Sequence, residues 1–250
     1  MPYKTGLDNF VSNKPETLDI LYVDNHLLVI YKPAGMLSQA DDTGDADVLT
    51  VAKQYIKEKY EKPGEVFMGL VHRLDRPVSG VMVLARTTKA ASRLSEQFRQ
   101  KTPDKRYLAV VEAAISGKGD CEDYLIKEDQ KVRIVSSSYP KAQFAALSWQ
   151  AIASQKVATS QKTWSLLEIE LQTGRPHQIR VQLSSRKMPI LGDFRYGAKH
   201  ALDGRNLALH CYLLSIEHPT QKTRMTFVAP PPASWKGLFE KEIAQLTKKN

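Results

Sequence analysis

Cysteine is scarce. Cys121 and Cys211 are the two in 250 residues and lie far apart. That count excludes a disulfide framework and any CxxC metal site, and it agrees with a reducing cytoplasm, the expected compartment. Long apolar runs are absent as well. Nothing approaches the roughly 20 residues of a membrane-spanning helix, and the N-terminus lacks the apolar core of a signal peptide, so no membrane partner is expected. GxSxG, Walker A and GxGxxG patterns are missing, which argues against a hydrolase, an NTPase and a dehydrogenase. His26, His200, His210 and His218 show no metal-ligand spacing and read as structural or surface histidines. No internal repeat or low-complexity tract occurs.

What is present is an ordinary globular composition with an excess of positive charge. Apolar residues make up 42% and charged residues 25%, which excludes disorder. The 36 Lys and Arg against 27 Asp and Glu leave a net charge of +9. Such an excess attracts polyanions and speeds their capture. Nucleic acid is the leading partner, and a basic surface without a specific partner is the plain alternative.

Along the chain, residues 1–17 are polar and read as a short leader, and residues 18–250 as one domain. The runs Ile20–Val23 and Leu27–Tyr31 flank Asp24-Asn25-His26, the pattern of a β-hairpin. Leu49, Ala52, Ile56 and Tyr60 recur at helical spacing. Val81–Ala85 is an apolar strand. A helix follows with Thr88 as N-cap and Ala91, Leu94 and Phe98 on one face. Tyr107–Val111 is another strand. Residues 115–165 alternate short β-like runs with polar loops. Leu166–Leu171 is a strand, and a helix is expected near Ile179 and Leu183 with Pro176 in its first turn. Leu207–Ile216 and Thr223–Val228 form a late strand pair. Beyond Pro230-Pro231-Pro232, Trp235, Leu238, Phe239, Ile243 and Leu246 predict a terminal helix. Strands and helices interleave without a regular βαβ rhythm, so the expected class is α+β. It would have a mixed, largely antiparallel central sheet flanked by helices and loops.

The densest cluster of reactive residues is His72-Arg73-Leu74-Asp75-Arg76-Pro77-Val78-Ser79-Gly80. A carboxylate there stands between two arginines, in a loop between strands, where rigid scaffolds present functional groups. Flanking cations favour the charged form that a nucleophile or base requires. An Asp that merely caps a surface turn is the bland alternative. The pattern His-Arg-Leu-Asp-x-x-x-Ser-Gly resembles the signature of the RluA-type pseudouridine synthases. Three further stretches resemble family segments in the same order: Lys32-Pro33-Ala34-Gly35, Lys105-Arg106-Tyr107, and Thr173–Val181 followed by Pro189–Asp193. The similarity runs from about residue 19 to 229. Val78 stands where the family usually has Thr, and the turn is expected to survive that change. Fewer than 20 residues precede the first strand, so the small RNA-binding domain of many relatives is not expected, and RNA capture would fall to the catalytic domain itself.

The resemblance implies an isomerase that turns uridine in RNA into pseudouridine without a metal or another cofactor. Asp75 matches the essential carboxylate, Tyr107 the tyrosine that stacks on uracil and helps remove the C5 proton, and Arg180 the cation that pairs with the carboxylate. Three routes stay open: addition of the carboxylate to the base, attack on the sugar, and deprotonation of the sugar. Each needs an ionised Asp at the ribose. Arg73 matches the residue associated with filling the place of the extruded base, and His72 would contact the flipped nucleotide or nearby backbone. Arg175 and His177 suit phosphate contact at a helix start. A monomer is expected. The rivals are a non-catalytic RNA-binding or RNA-folding protein on the same fold, and an Asp-dependent nucleoside hydrolase, which would liberate free uracil.

Overall fold

The computed structural model describes residues 18–129, 131–157, 162–204 and 206–248; the expected leader lies outside them. The strands are β1 (Asp19–Val23), β2 (Leu27–Lys32), β3 (Gly69–Leu70), β4 (Ser79–Ala85), β5 (Asp104–Val111), β6 (Lys118–Glu128), β7 (Lys131–Val135), β8 (Gln143–Lys156), β9 (Thr163–Leu171), β10 (Leu209–Glu217) and β11 (Arg224–Val228). The helices are α1 (Val48–Lys59), α2 (Thr88–Arg99), α3 (Gln178–Ser185) and α4 (Glu240–Lys248). These strands make an 11-stranded sheet in the order β1-β2-β4-β10-β5-β9-β8-β6-β7, with β11 added to β10 and β3 to β4. Among the described residues β10 pairs with β4 in parallel, while the neighbouring β2–β4 and β10–β5 pairings are antiparallel. The mixed, largely antiparallel α+β class is therefore as expected.

Side-chain alternation explains how helices cover both faces. On β2 and β4, Leu28, Ile30, Met82 and Leu84 join α1 residues Val48, Ala52 and Ile56 in one core. The intervening Leu27, Val29, Val81 and Val83 join α2 residues Ala90 and Leu94 in a second core on the other face. With both faces covered, β4 is buried along its whole length, so its sequence reads as a continuous apolar run rather than an alternating one. The hairpin turn between β1 and β2 is closed by a side chain. Asp24 Oδ1 accepts from the His26 and Leu27 N–H groups, both at 2.7 Å, an Asx-turn.

Three boundaries differ from the sequence reading. The N-cap of α2 is Thr87, whose Oγ1 accepts from Ala90 N–H at 3.1 Å, because Thr87 and not Thr88 holds the extended backbone a cap needs. Pro176 precedes α3; His177, in the left-handed region at φ 49°, holds the N-cap position. The terminal helix starts later, at Glu240. A short 3-10 turn at Ala233–Trp235 comes first, and positive φ at Gly237 and Phe239 interrupts the path. Trp235 and Phe239 are still buried in the core, as their apolar character demands. Within 115–165, the described residues form the β6–β7 hairpin, the long β8 that pairs with the other edge of β6, and the start of β9.

One backbone contact brings the two halves of the sheet together. Gly80 on β4 pairs with Cys211 on β10 at φ +140°, and a Cβ there would lie 2.4 Å from the Cys211 carbonyl oxygen. No side chain fits that approach. Gly80→Ala is expected to lower the unfolding free energy by about 3 kcal/mol, the upper range for overpacking, measured by urea denaturation. A loss within about 0.5 kcal/mol, as at a neutral surface site, would contradict the close approach.

Candidate active site

Asp75 lies in the loop between β3 and β4, and that loop is held by main-chain and buried polar contacts. Val78 N–H donates to the Asp75 carbonyl at 3.0 Å, closing a tight turn over Asp75-Arg76-Pro77-Val78. The turn is built from backbone and needs no hydroxyl at position 78, where the valine side chain is instead buried in the core. Ser38 Oγ donates to the Leu74 carbonyl at 2.7 Å and accepts from Leu74 N–H at 3.2 Å. Ser79, next in the motif, is hydrogen-bonded to His210 Nδ1 at 2.8 Å, and His210 Nε2 donates to the Ala229 carbonyl at 2.9 Å. Burial pushes His210 down to about 4, so it is neutral, in line with the structural role expected of it.

Beneath the loop lies Lys32, at the end of β2 and fully buried. Its Nζ donates to the carbonyls of Pro33 (3.0 Å), Arg76 (3.2 Å) and Val78 (2.7 Å). Those three acceptors match the three protons of an ammonium. The side chain thus fastens the segment that carries Asp75. Sequence reasoning noticed the Lys-Pro segment but gave Lys32 no task. A buried lysine has no signature of its own in a sequence.

The cation that faces Asp75 comes from far along the chain. Arg180, on α3, is buried, and its Nη1 lies 3.2 Å from Asp75 Oδ2. The rest of its guanidinium is held by Asp193, which accepts from Nε at 2.7 Å and from Nη2 at 2.8 Å. This bidentate grip leaves one edge of the fork for Asp75. Burial works against the Arg180 charge, but Asp193 and then Asp75 hold its pKa above the ordinary value. Tyr196 lies under the same guanidinium, 5.1 Å from ring centroid to Cζ, a cation–π contact. Asp193 and Tyr196 were not among the expected site residues. Asp193 ended a recognised segment, but its partner could not be read from its neighbours. The flanking arginines do not serve Asp75 as expected. Arg76 pairs with Asp45 at 2.7 Å and donates to the Gly35 carbonyl, and Arg73 points outward, exposed.

His177 and Tyr107 complete the group around Asp75. Tyr196 Oη accepts from Val132 N–H at 3.2 Å and lies 2.8 Å from His177 Nδ1. The Tyr196 hydroxyl thus fixes the orientation of the imidazole and turns Nε2 toward Asp75. That atom is 3.8 Å from Asp75 Oδ2. Burial pushes the His177 pKa down, opposed by Asp75. Tyr107, on β5, is buried and stands opposite Cys211 in the β5–β10 ladder. Burial first, then Cys211, and also the Asp75 charge raise its pKa well above the usual phenol value.

The structure therefore brings Asp75, Tyr107, Arg180 and His177 together. It leaves Arg73 exposed at the rim and turns Arg175 toward β8, where its Nε donates to the Phe144 carbonyl at 3.1 Å. His72 is directed inward: Nε2 accepts from Val83 N–H at 3.0 Å, and the ring stacks on Phe98 at 4.7 Å between centroids. Burial, and then Lys105, hold it at about 3. It fastens the loop to β4 and α2.

Lys32 makes the loop's stability depend on pH. Burial pushes its pKa down from 10.5 to about 7, with Asp75 opposing. Between those two values the unfolded chain binds more protons than the folded one, so stability rises with pH. Urea unfolding from pH 7 to 10 is expected to show the native protein gaining stability relative to Lys32→Met. Parallel pH curves for the two proteins would contradict a buried lysine here.

The chain's likenesses agree with this geometry. Residues 26–185 match the family model described as RNA pseudouridylate synthase. The tRNA pseudouridine synthase C of Haemophilus ducreyi is 37% identical over 237 residues, covering 89% of this chain and 94% of that protein. The ribosomal large subunit pseudouridine synthase D of Zymomonas mobilis is 34% identical over 243 residues, covering 91% of this chain and 74% of that one. Among solved structures, human RNA pseudouridylate synthase domain containing 4 superposes with a TM-score of 0.70 at 25% identity, covering 92% of this chain and 93% of that one. On its sequence and on its fold alike, the chain belongs to the RluA family of RNA pseudouridine synthases, isomerases that act on RNA.

Proposed function

We propose that this synthase isomerises particular uridines in folded rRNA or tRNA, with Asp75 as the catalytic carboxylate acting at the ribose. The observation that carries the reading is the clamped guanidinium: Arg180 Nη1 stands 3.2 Å from Asp75 Oδ2 while Asp193 grips its other nitrogens. A carboxylate aimed in this way is preorganised and costs little reorganisation when charge develops on the sugar or base. The reaction breaks the N1–ribose bond, turns the uracil, joins C5 to the same sugar carbon, and moves one proton off C5 while N1 gains one. It consumes no oxidant, reductant or water.

Tyr107 supplies the ring on which the everted uracil stacks. Its phenol holds its own proton at rest, so it takes the C5 proton only by handing that proton on. Arg180 orients Asp75, and His177 brings a ring nitrogen to 3.8 Å from the same carboxylate oxygen. Reaching a uridine in folded RNA requires extrusion, which costs of the order of a few kcal/mol, least in loops. Arg73, exposed beside the loop, fills the place of the departed base. Arg175 contacts the phosphate backbone. His72 supports the loop and does not touch RNA. Residues 18–250 act as one catalytic domain, and the continuous sheet supports that reading. Names of the relatives point to tRNA in one case and to large-subunit rRNA in the other, so both RNA classes are candidate substrates in the cytoplasm.

Tritium release from RNA labelled at uracil C5 tests the proposal. Native protein is expected to release tritium from unmodified tRNA or rRNA, and Asp75→Asn to lose at least about a thousandfold in rate while keeping RNA affinity within a few-fold. Free uracil in the products, or equal release by Asp75→Asn, would overturn it.

A further inference from the structure

A cavity of about 340 Å³ has Lys105 of β5 in its wall and none of the residues grouped around Asp75. Its walls come from the α2–β5 turn (Lys101), the start of β5 (Lys105), the start of β8 (Phe144, Ala146) and the residues just after β9 (Gln172, Thr173). That volume lies in the range of a site for a small molecule or a single nucleotide. Lys105 and Tyr107 sit two residues apart on β5, so their side chains share a face and stand roughly 7 Å apart along the strand. The Lys105 charge reaches both Cys211, the cross-strand neighbour of Tyr107, and His72. The cavity thus begins one strand repeat from the ring proposed to carry the uracil.

Its chemistry suits a nucleotide. Lys105 is half-buried, and among the described residues no carboxylate lies within ion-pair distance of it. Its Nζ rests against Gly174, 3.7 Å from where a Cβ would stand, at ordinary contact distance. Of the two carboxylates in the wall, Asp104 is engaged by Arg106 at 3.3 Å. Glu170 lies exposed at the edge. A cation held at the cavity wall without a counterion is poised for an anion. Phe144 is exposed at 38% although its ring is large and apolar. Tyr124 packs against its edge with centroids 5.6 Å apart, and Arg175 fixes its backbone. A braced, exposed aromatic is what a base stacks on.

We propose that this cavity is a subsite for the RNA nucleotide adjoining the everted uridine, with Lys105 and Lys101 on its phosphodiester and Phe144 stacking on its base. The proposal rests on the reading of Tyr107 and Asp75 as the uridine site, and it places the neighbouring nucleotide on the β5–β8 side of that site. Specificity for the nucleotide next to the target would then be read here, by the shape around Phe144 and Gln172.

Fluorescence anisotropy with a short labelled single-stranded oligouridylate, titrated over a range of KCl concentrations, tests it. Lys105→Met is expected to raise Kd about three- to tenfold and to reduce the slope of log affinity against log salt by about 0.7, the loss of one phosphate contact on a single strand. Lys105→Arg keeps the slope. Phe144→Leu raises Kd by about tenfold with the slope unchanged, because stacking releases no counterion. Lys101→Met, at an exposed position, is read for the same loss of slope. Native Kd and slope in Lys105→Met, Lys101→Met and Phe144→Leu together would overturn the subsite, whatever the tritium assay gives. Absence of tritium release by native protein would overturn the uridine reading instead, so the two failures are distinguishable.

Discussion

Arg180 is a buried cation shared unequally between two carboxylates, and the geometry of the site follows from that inequality. Asp193 takes two of its nitrogens at 2.7 and 2.8 Å, and Asp75 takes the third at 3.2 Å. Asp193 is almost wholly buried, whereas the Asp75 side chain keeps 28% of its surface exposed. One carboxylate therefore serves as an anchor and the other faces the cleft. A guanidinium held from behind cannot follow Asp75 if Asp75 moves, so the longer contact is oriented without being buried. Leaving such an ion without its partner costs about 3–5 kcal/mol, and the fold satisfies it by delivering Arg180 and Asp193 on either side of a single short helix-to-loop passage.

The Asp75 loop is held by the same kind of economy. Two carbonyls of the loop, those of Arg76 and Val78, join the Pro33 carbonyl on the Lys32 ammonium, while Ser38 bonds both the N–H and the carbonyl of Leu74. These contacts are directional and bury polar atoms that need partners, so the loop has one satisfactory conformation. Gly80 ends it where β4 meets β10 in parallel. That register sets Cys211 beside β5, opposite Tyr107. Loop, strand pairing and aromatic ring are thus positioned by one junction in the sheet.

Much of this was legible in the residues. The hairpin around Asp24, the helix through Ala52 and Ile56 and the strand Val81–Ala85 carry local periodicities that tertiary packing respects. Motif order also pointed to Asp75, Tyr107 and Arg180, which do converge. What local pattern could not carry is pairing across long separations. Arg76 was expected to attend its neighbour Asp75 and instead holds Asp45; Arg180 attends it from 105 positions away. His72, reactive in type and placed beside the motif, is directed into the sheet because Val83 N–H and the Phe98 face are there to receive it. Lys32 reads as a surface residue by type, yet it is completely buried. The β6–β8 region was obscure because its long, half-exposed strands bury few residues on a regular face.

Asp193 reaches Asp75 only through the Arg180 guanidinium that both carboxylates hold. Single-turnover tritium release at saturating RNA with Asp193→Asn addresses this directly, because the variant keeps the size of the side chain and removes its charge. Loosening of the guanidinium predicts a fall in the chemical rate of about 100-fold, the scale of a misplacement near 1 Å, with RNA affinity close to native. A native rate in a folded Asp193→Asn protein would contradict the account.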